Sequence, residues 1–199
     1  MNCCPILIVF VRAPYLGTVK KRLAAGVGAF AARRFYINLA SKLITTVSTH
    51  VPWQTILSVT PNTSAFQGRY WPPGVKKIPQ GYGNLGERME RILLRFPHQP
   101  VAIIGSDIPD ISNKHIKNAF AAIGRSDFVF GPSPDGGYWL VGLRMGSLAR
   151  GLFQNVRWSS ECALTDTLSN IGIRRVELIE ELYDIDNVED LDQWQAQHS

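Results

Sequence analysis

Short apolar runs rich in β-branched residues alternate along this chain with segments of helical periodicity. Residues 5–11 (PILIVFV) and 101–105 (VAIIG) are continuous apolar runs, as expected of strands buried on both faces of a sheet. Between them, residues 35–47 place apolar side chains at helical spacing. This alternation predicts an α/β fold with a mostly parallel sheet, at least one antiparallel strand and helices on both faces.

The remaining predicted elements complete this pattern. Asn84 followed by Glu87 indicates a capped helix start, and Ser112 precedes another helical stretch. The chain contains no internal repeat and no low-complexity linker, so we expect a single domain over residues 1–199. Further strands are predicted at 55–59, 128–130, 138–143 and 173–177, with a loop at 61–74 and a last helix at 188–195.

Composition excludes several classes of protein. With 199 residues, 45% hydrophobic and 19% charged, the chain is neither disordered nor a coiled coil. The early apolar run at 6–11 is too short to span a bilayer, and the sequence begins without a basic leader or a small-residue cleavage site. Three cysteines, an odd number, cannot form a disulfide framework. We therefore expect a cytoplasmic protein with no membrane span.

Charge is distributed unevenly between the two halves of the chain. Residues 1–100 carry 13 lysines and arginines against Glu87 and Glu90, a net +11, whereas residues 101–199 have a net charge of −6. Phosphate groups and Mg²⁺ need partners of opposite sign, so this polarity suits a site that binds both. Uneven surface charge, or a basic nucleic-acid-binding module, would also explain it. Because no RNA-recognition or helix-turn-helix motif is present, we expect no nucleic-acid partner.

Several common nucleotide-binding and catalytic motifs are missing from this sequence or lie in the wrong structural context. Residues 26–31 match G-x-G-x-x-A, but they follow a helix-like stretch rather than a strand, and no acidic residue lies about twenty positions downstream. Two glycines that separate one helix from the next explain this match better. There is no Walker P-loop, no G-x-S-x-G elbow and no H-E-x-x-H. Dinucleotide, P-loop, serine-hydrolase and zincin chemistry are therefore excluded.

The segment directly after the first strand carries a basic motif. Arg12, Lys20 and Arg22 lie there, and Gly17 allows a tight turn and a close backbone approach. Ligands of open α/β sheets bind beyond the carboxyl ends of strands, and a helix beginning near Thr18 would direct its amides to the same place. The motif predicts a phosphate site, with a solvated basic helix start as the alternative.

Aspartates supply the candidate metal ligands. Asp107 follows the buried run at 101–105, where a carboxylate can hold Mg²⁺ or Mn²⁺ against diphosphate oxygens, although an Asx turn would also place it there. Asp110 fits a capping role better than metal binding. Asp184 and Asp186 could add a metal ligand or cap the last helix, and the capping role is slightly favoured.

A glycine-rich loop at residues 131–137 provides a third candidate. Its glycines permit a ligand to approach the backbone, and Asp135 can accept hydrogen bonds from a sugar or a base. Tyr138 and Trp139, which follow, offer stacking faces. A hairpin turn alone would explain Asp135-Gly136 but not the whole cluster.

Taken in order, these motifs resemble one protein family. They are F-x-R-x-P-x-x-G-x-x-K-x-R-L from Phe10, N-L-G-E-R-M at 84–89, G-S-D-I-P at 105–109, G-P-x-x-D-G-G-Y at 131–138, and D-x-D followed by E-D-L near the end. The chain resembles the bacterial glycosyltransferase-A-like family of nucleotide-diphospho-sugar transferase relatives, some members of which are assigned to arsenosugar biosynthesis. It is more distantly similar to the 2-phospholactate and molybdenum-cofactor guanylyltransferases. The resemblance spans residues 10–191 and implies a glycosyltransferase-A fold, nucleotide binding by the first loop and a divalent cation on Asp107.

The resemblance and the residues together predict a metal-dependent transferase with a nucleotide-diphospho-sugar donor and a small-molecule acceptor. The alternative is a nucleotidyltransferase that joins a nucleoside triphosphate to a phosphorylated small molecule. Lys21 and Asn84 depart from the family, which usually has threonine and often aspartate there. The predicted roles are phosphate binding by Arg12, Gly17, Lys20 and Arg22; Mg²⁺ or Mn²⁺ binding by Asp107 and Asp186; catalysis by Asp135; and substrate binding by Arg88, Gly136, Gly137 and Tyr138.

Overall fold

Seven strands and six α-helices make up the computed structural model, which describes residues 4–67 and 70–197. The strands are β1 (Ile6–Arg12), β2 (Gln54–Thr60), β3 (Lys76–Pro79), β4 (Val101–Ile104), β5 (Phe128–Pro132), β6 (Tyr138–Leu143) and β7 (Val176–Leu178). The helices are α1 (Lys21–Val27), α2 (Ala29–Ser48), α3 (Leu85–Leu93), α4 (Asn113–Ile123), α5 (Ala163–Ser169) and α6 (Val188–Gln197). Short 3₁₀ helices lie at Asn62–Ala65 and Gly146–Ala149.

All seven strands belong to one mixed sheet, in the order β3-β2-β1-β4-β6-β5-β7. Strand β6 runs antiparallel to both of its neighbours, β4 and β5, and every other neighbouring pair is parallel. The predicted α/β fold with a mostly parallel sheet and an antiparallel strand is therefore confirmed. The carboxyl ends of the six parallel strands and the start of β6 share one edge of the sheet.

Apolar side chains of the central strand supply two separate cores. Leu7 and Val9 of β1 pack on one face of the sheet, among residues of α2 and α4. Ile6 and Ile8 pack on the opposite face, with residues of α3. Since both faces of β1 are buried, its sequence has no polar alternation, and the prediction of helices on both faces is confirmed.

The structure corrects several predicted elements. The first helix begins at Lys21 rather than near Thr18, because Lys20 adopts a left-handed conformation with φ 46°. The last strand covers Val176–Leu178 rather than 173–177. Strand β3 and helix α5 were not predicted, since β3 buries the side chain of Ile78 alone and α5 spans seven residues. Gly28, with φ 84°, separates α1 from α2, as predicted, but Gly26 lies inside α1, so one glycine rather than two breaks the helix.

No helix among the described residues is both long and apolar enough to cross a bilayer. Helix α2 has 20 residues, but three of them are charged (Arg33, Arg34 and Lys42), so its length alone does not make it a span.

Helix α3 begins with the predicted capping box. The Asn84 side chain accepts a hydrogen bond from the Glu87 amide at 3.0 Å, and the Glu87 side chain accepts one from the Asn84 amide at 2.8 Å. These bonds satisfy two amides that the helix itself leaves without partners.

Replacing Asn84 by alanine should lower the free energy of unfolding by about 1 kcal/mol, because the cap acceptor is removed. Asn84→Asp is the matched control, since it keeps an acceptor and adds a negative charge at a helix N-terminus; we expect stability close to that of the wild type. Urea denaturation measures both variants. An alanine variant as stable as the wild type would show that the cap does not stabilise α3.

Candidate active site

Loops from three parts of the chain meet at the edge of the sheet formed by the carboxyl ends of β1, β4 and β7. The Tyr36 hydroxyl of α2 joins two of them: it accepts from the Arg12 amide at 3.0 Å, donates to the Arg12 carbonyl at 3.1 Å and pairs with Ser106 Oγ at 3.1 Å. Burial raises the pKa of Tyr36, so the hydroxyl stays neutral. The ends of β1 and β4 are thereby held side by side.

Lys20 lies at the centre of this edge. Its side chain is 5% exposed, and its Nζ lies 2.7 Å from Asp107 Oδ2, 2.7 Å from Asp186 Oδ1 and 3.8 Å from Asp184 Oδ2. Burial alone would lower the pKa of Lys20, but the carboxylates of Asp107 and Asp186 outweigh it and hold the pKa above its usual value. The lysine is therefore a buried cation.

Asp107, Asp184 and Asp186, here called the aspartate triad, surround this cation. Each offers a carboxylate oxygen within 4.8 Å of the other two. Burial, followed by the charge of Asp107, raises the pKa of Asp184 to about 7. Burial acts in the same direction on Asp186, but Lys20 and then Arg22 overcome it and lower the pKa of that carboxyl. The triad therefore contains one carboxyl that titrates near neutral pH.

The favoured prediction that Asp184 and Asp186 cap the last helix is wrong. Asn187 caps α6 instead: its Oδ1 accepts from the Asp190 amide at 2.8 Å, and Asp190 Oδ2 accepts from the Asn187 amide at 3.1 Å. With the cap supplied by Asn187, the two preceding aspartates are left to contact Lys20. The alternative interpretation, that they join a metal-ligand set, fits this geometry.

Asp110 is also misassigned by the sequence. Ser112, not Asp110, occupies the N-cap of α4. Asp110 Oδ1 accepts a hydrogen bond from Trp194 Nε1 at 3.1 Å, which links the loop after β4 to α6. Its position in the loop therefore serves helix docking.

A basic cavity of about 620 Å³ opens on the Lys20 side of the triad. It brings together the predicted phosphate-binding residues Arg12, Lys20 and Arg22, the predicted substrate-binding Arg88, and Lys21. Gly17, with φ 75°, lies in the turn ahead of Lys20 and is not among the described residues that line this cavity. Its phosphate contact stays a prediction.

Arg88 is held in the basic cavity by a residue that the sequence did not reveal. Gln80, only 2% exposed, donates through Nε2 to the Ser58 carbonyl at 2.9 Å, and its Oε1 accepts from Arg88 Nη1 at 2.7 Å. Burial and then the neighbouring Arg12 lower the pKa of Arg88. An anion bound between these two arginines would relieve their repulsion.

An apolar cavity of about 240 Å³ adjoins the basic one. Phe10, Leu85 and Asp107 line both cavities, so the triad lies on their border. The other side chains that line the apolar cavity include Met89, Ile103, Tyr138, Val141, Trp158, Asp135 and Asp184. The two cavities therefore offer contrasting surfaces to two different molecules.

The glycine-rich loop lines the apolar cavity in part. Asp135 lies on it, and its Oδ1 accepts from the Gly137 amide at 3.0 Å. Gly136, with φ 80°, is required because a Cβ there would overlap the Glu161 backbone. Close approach of protein backbone accounts for this glycine, and the roles of Asp135 and Gly137 stay predictions.

Tyr138 and Trp139 lie on opposite faces of β6. Trp139 also borders the apolar cavity, but it is only 3% exposed and its ring donates through Nε1 to the Glu180 carbonyl at 2.9 Å, so it does not offer the predicted free stacking face. Tyr138 lines the apolar cavity, with its ring centroid 6.4 Å from that of Trp158. Trp158 was not predicted, because nothing in its local pattern distinguishes a cavity residue from a core one.

Comparisons with known proteins confirm the predicted fold. The sequence profile of the family described as "Uncharacterized protein conserved in bacteria (DUF2064)" matches residues 43–160. A Desulfovibrio desulfuricans G20 protein, provisionally described as a nucleotide-diphospho-sugar transferase, superposes with TM-score 0.88 at 24% identity over 98% of this chain and 87% of its own. No curated protein sequence matches.

Two more distant structures share the fold. The 4-diphosphocytidyl-2C-methyl-D-erythritol synthase of Anaerococcus prevotii DSM 20548 has TM-score 0.65 at 12% identity, covering 99% of this chain and 96% of its own. The Rv0371c protein of Mycobacterium tuberculosis H37Rv, in complex with manganese, has TM-score 0.56 at 14% identity, covering 97% and 98%. The sheet and its covering helices are therefore shared with these three proteins.

The raised pKa of Asp184 predicts how stability changes with pH in the absence of divalent metal. Its folded value of about 7 lies above the value of about 3.9 expected for an unfolded chain. Between these values the folded state binds more protons, so this carboxyl makes stability fall as pH rises toward and through 7. We expect the Tm in chelator to fall from pH 5 to pH 8 less steeply in Asp184→Asn than in the wild type.

Asp192→Asn is the matched control, because it makes the same chemical change on an exposed face of α6. Identical pH slopes in the wild type and Asp184→Asn would show that Asp184 does not titrate near neutral pH.

Proposed function

The chain belongs to the bacterial DUF2064 family, and we propose that it is a metal-dependent transferase acting on a nucleotide-activated substrate. One observation carries the proposal: the aspartate triad lies on the border between a basic and an apolar cavity. A transferase needs this division, since its donor carries phosphates and its acceptor must reach the same reacting centre.

The basic cavity is suited to the diphosphate of the donor. Arg12 and Arg88 can each fork onto phosphate oxygens, whereas Lys21 presents a point charge. Arg22 is already 3.6 Å from Asp186, so it can bridge a phosphate and the triad. These charges would also stabilise the nucleoside diphosphate as it leaves.

The residues of the triad fit a divalent metal. They offer only carboxylate oxygens, which suit Mg²⁺ or Mn²⁺, and they already hold the Lys20 ammonium among them. Asp107, Asp184 and Asp186 would hold the ion, which would supply charge stabilisation for the leaving phosphate. Lys20 would compete with the ion for these carboxylates, and once displaced it can donate to phosphate.

Mn²⁺ binding tests this assignment with two variants of opposite effect. Lys20→Met removes a cation that lies 2.7 Å from two of the ligands, so we expect at least roughly tenfold tighter Mn²⁺ binding by calorimetry. Asp107→Asn removes a ligand and should weaken binding by about tenfold or more. Unchanged Mn²⁺ affinity in both variants would show that the metal, if bound, lies elsewhere.

Glycosyl transfer is the reaction that we propose for this site. The oxygen of an acceptor hydroxyl bonds to the anomeric carbon of the donor sugar, while the bond from that carbon to the phosphate oxygen breaks and the nucleoside diphosphate leaves. The hydroxyl proton passes to Asp135 as general base. The Gly137 amide donates to Asp135 Oδ1 at 3.0 Å and so fixes the orientation of the carboxylate that would accept the proton.

Nucleotidyl transfer is a second candidate, favoured by the amount of positive charge. Five cationic side chains line the basic cavity, enough for a nucleoside triphosphate. In that reaction an acceptor phosphate oxygen bonds to the α-phosphorus, the bond from the α-phosphorus to the β-phosphate oxygen breaks, and pyrophosphate leaves. The synthase from Anaerococcus prevotii that shares the fold is named for a diphosphocytidyl product.

A thermal-shift panel separates the two reactions. Nucleoside diphosphates, nucleotide sugars and nucleoside triphosphates are each tested with and without Mn²⁺. We expect one nucleoside diphosphate and its sugar to raise the Tm only with Mn²⁺, through mass action on the folded state, and Asp107→Asn to lose the effect. Arg144→Gln, an exposed arginine paired with Asp127 away from the cavities, is the control.

Pyrophosphate release from a triphosphate would establish nucleotidyl transfer instead. No stabilisation by any nucleotide would contradict both reactions.

We place this reaction in the cytoplasm with small-molecule substrates. Cys4 and Cys162 are free thiols, in keeping with a reducing compartment. The cationic side chains converge on a cavity beside three carboxylates, a surface that suits a mononucleotide better than a nucleic-acid backbone.

A further inference from the structure

The lining of the apolar cavity restricts which acceptor the proposed transferase takes. One end is aromatic: Tyr138 and Trp158 meet edge to face, with ring planes inclined at 67°. Phe10 and the buried Met89 add further apolar surface. Such a surface gains more free energy by covering an apolar body than by covering a polyhydroxylated one, which has less apolar area and more polar groups to desolvate.

Charge is the second restriction. Among the described residues that line this cavity there is no lysine, arginine or histidine, whereas Asp107, Asp135 and Asp184 all lie on it. Lys20 and the proposed divalent ion compensate Asp107 and Asp184, which leaves Asp135 as the unpaired carboxylate of these three. A phosphate monoester carries about −1.5 to −2 charges at pH 7 and would meet Asp135 with no basic side chain in the described cavity lining to pair with it. A neutral hydroxyl can instead donate to this carboxylate.

Size is the third restriction. At about 240 Å³ the cavity is smaller than the pockets of about 300–1,000 Å³ that enclose drug-sized ligands. It therefore accommodates a small molecule or one end of a longer one.

We infer that the acceptor is a small, uncharged alcohol or phenol with an aromatic or similarly apolar body, and not a phosphorylated molecule. This inference rests on the proposed transferase function. It favours glycosyl transfer over nucleotidyl transfer, because the latter requires the acceptor phosphate to enter the cavity that repels it.

A matched pair of probes tests the inference: 2-phenylethanol and phenyl phosphate, which share a ring and differ in charge. Dissociation constants are measured by ligand-observed NMR with Mg²⁺ present. Ala163→Leu fills the cavity from its lining, and Ser160→Trp blocks it from an exposed rim position, where folding is less at risk. Ala121→Leu, on the exposed face of α4 beside a different cavity, is the control.

We expect 2-phenylethanol to bind the wild type and Ala121→Leu equally, and about tenfold or more weakly to Ala163→Leu and Ser160→Trp. Any phenyl phosphate binding should be displaced by the nucleoside diphosphate and be unaffected by these two variants. Phenyl phosphate that binds more tightly than the alcohol, and is lost in both variants, would overturn the inference. So would an alcohol that does not bind the wild type.

The outcome is separable from that of the proposed function. Nucleotide binding with Mn²⁺ but no alcohol binding would refute the acceptor class alone. Alcohol binding in the apolar cavity without any nucleotide binding would refute the transferase.

Discussion

The buried ammonium of Lys20 among three carboxylates is the interaction on which the arrangement of this site depends. It connects the loop after β1 with the loop after β4 and with the segment that leads into α6, at 2.7 Å from both Asp107 and Asp186. A charged group that is 5% exposed is costly unless it is paired, so these three segments must lie together in the folded protein. The three carboxylates likewise need a cation between them. A divalent metal ion could take the place of the Lys20 ammonium there, since any cation bound by the carboxylates relieves their mutual repulsion.

The sequence predicted the parts of the fold and site that follow from strand ends. Strands buried on both faces have continuous apolar sequences, and the residues directly after such a strand lie at the ligand-binding edge of the sheet. That rule placed Arg12, Lys20 and Asp107 at the ligand-binding edge, and the structure adds that the last two, 87 residues apart, are in direct contact. The split of charge between the halves of the chain has the same origin, since the first half supplies the basic cavity and the second the triad.

Other residues could not be assigned because the same local sequence pattern is compatible with two structures. An aspartate that precedes a helix can either cap the helix or contact a cation, and the sequence does not distinguish these roles. The hydrogen bond from the Asp190 amide to Asn187 shows that Asn187 is the cap, so Asp184 and Asp186 are not. Gln80 follows an edge strand with a single buried apolar residue, too little pattern to place it. The error on Trp139 was avoidable, because adjacent strand residues point to opposite faces.

Asp107 lies on both cavities, and under the proposed function the charges around it would favour a different substrate in each. The cations of the basic cavity lower the energy of an anion there, while Asp135 raises it on the other side of the border. A phosphorylated donor that entered the apolar cavity would lose its cationic partners and face this carboxylate at short range. A neutral acceptor would be little affected by this field and would be held by apolar contact instead. Under the proposed function, each substrate would therefore be directed to one cavity, and their reacting ends would meet at the border on which Asp107 lies.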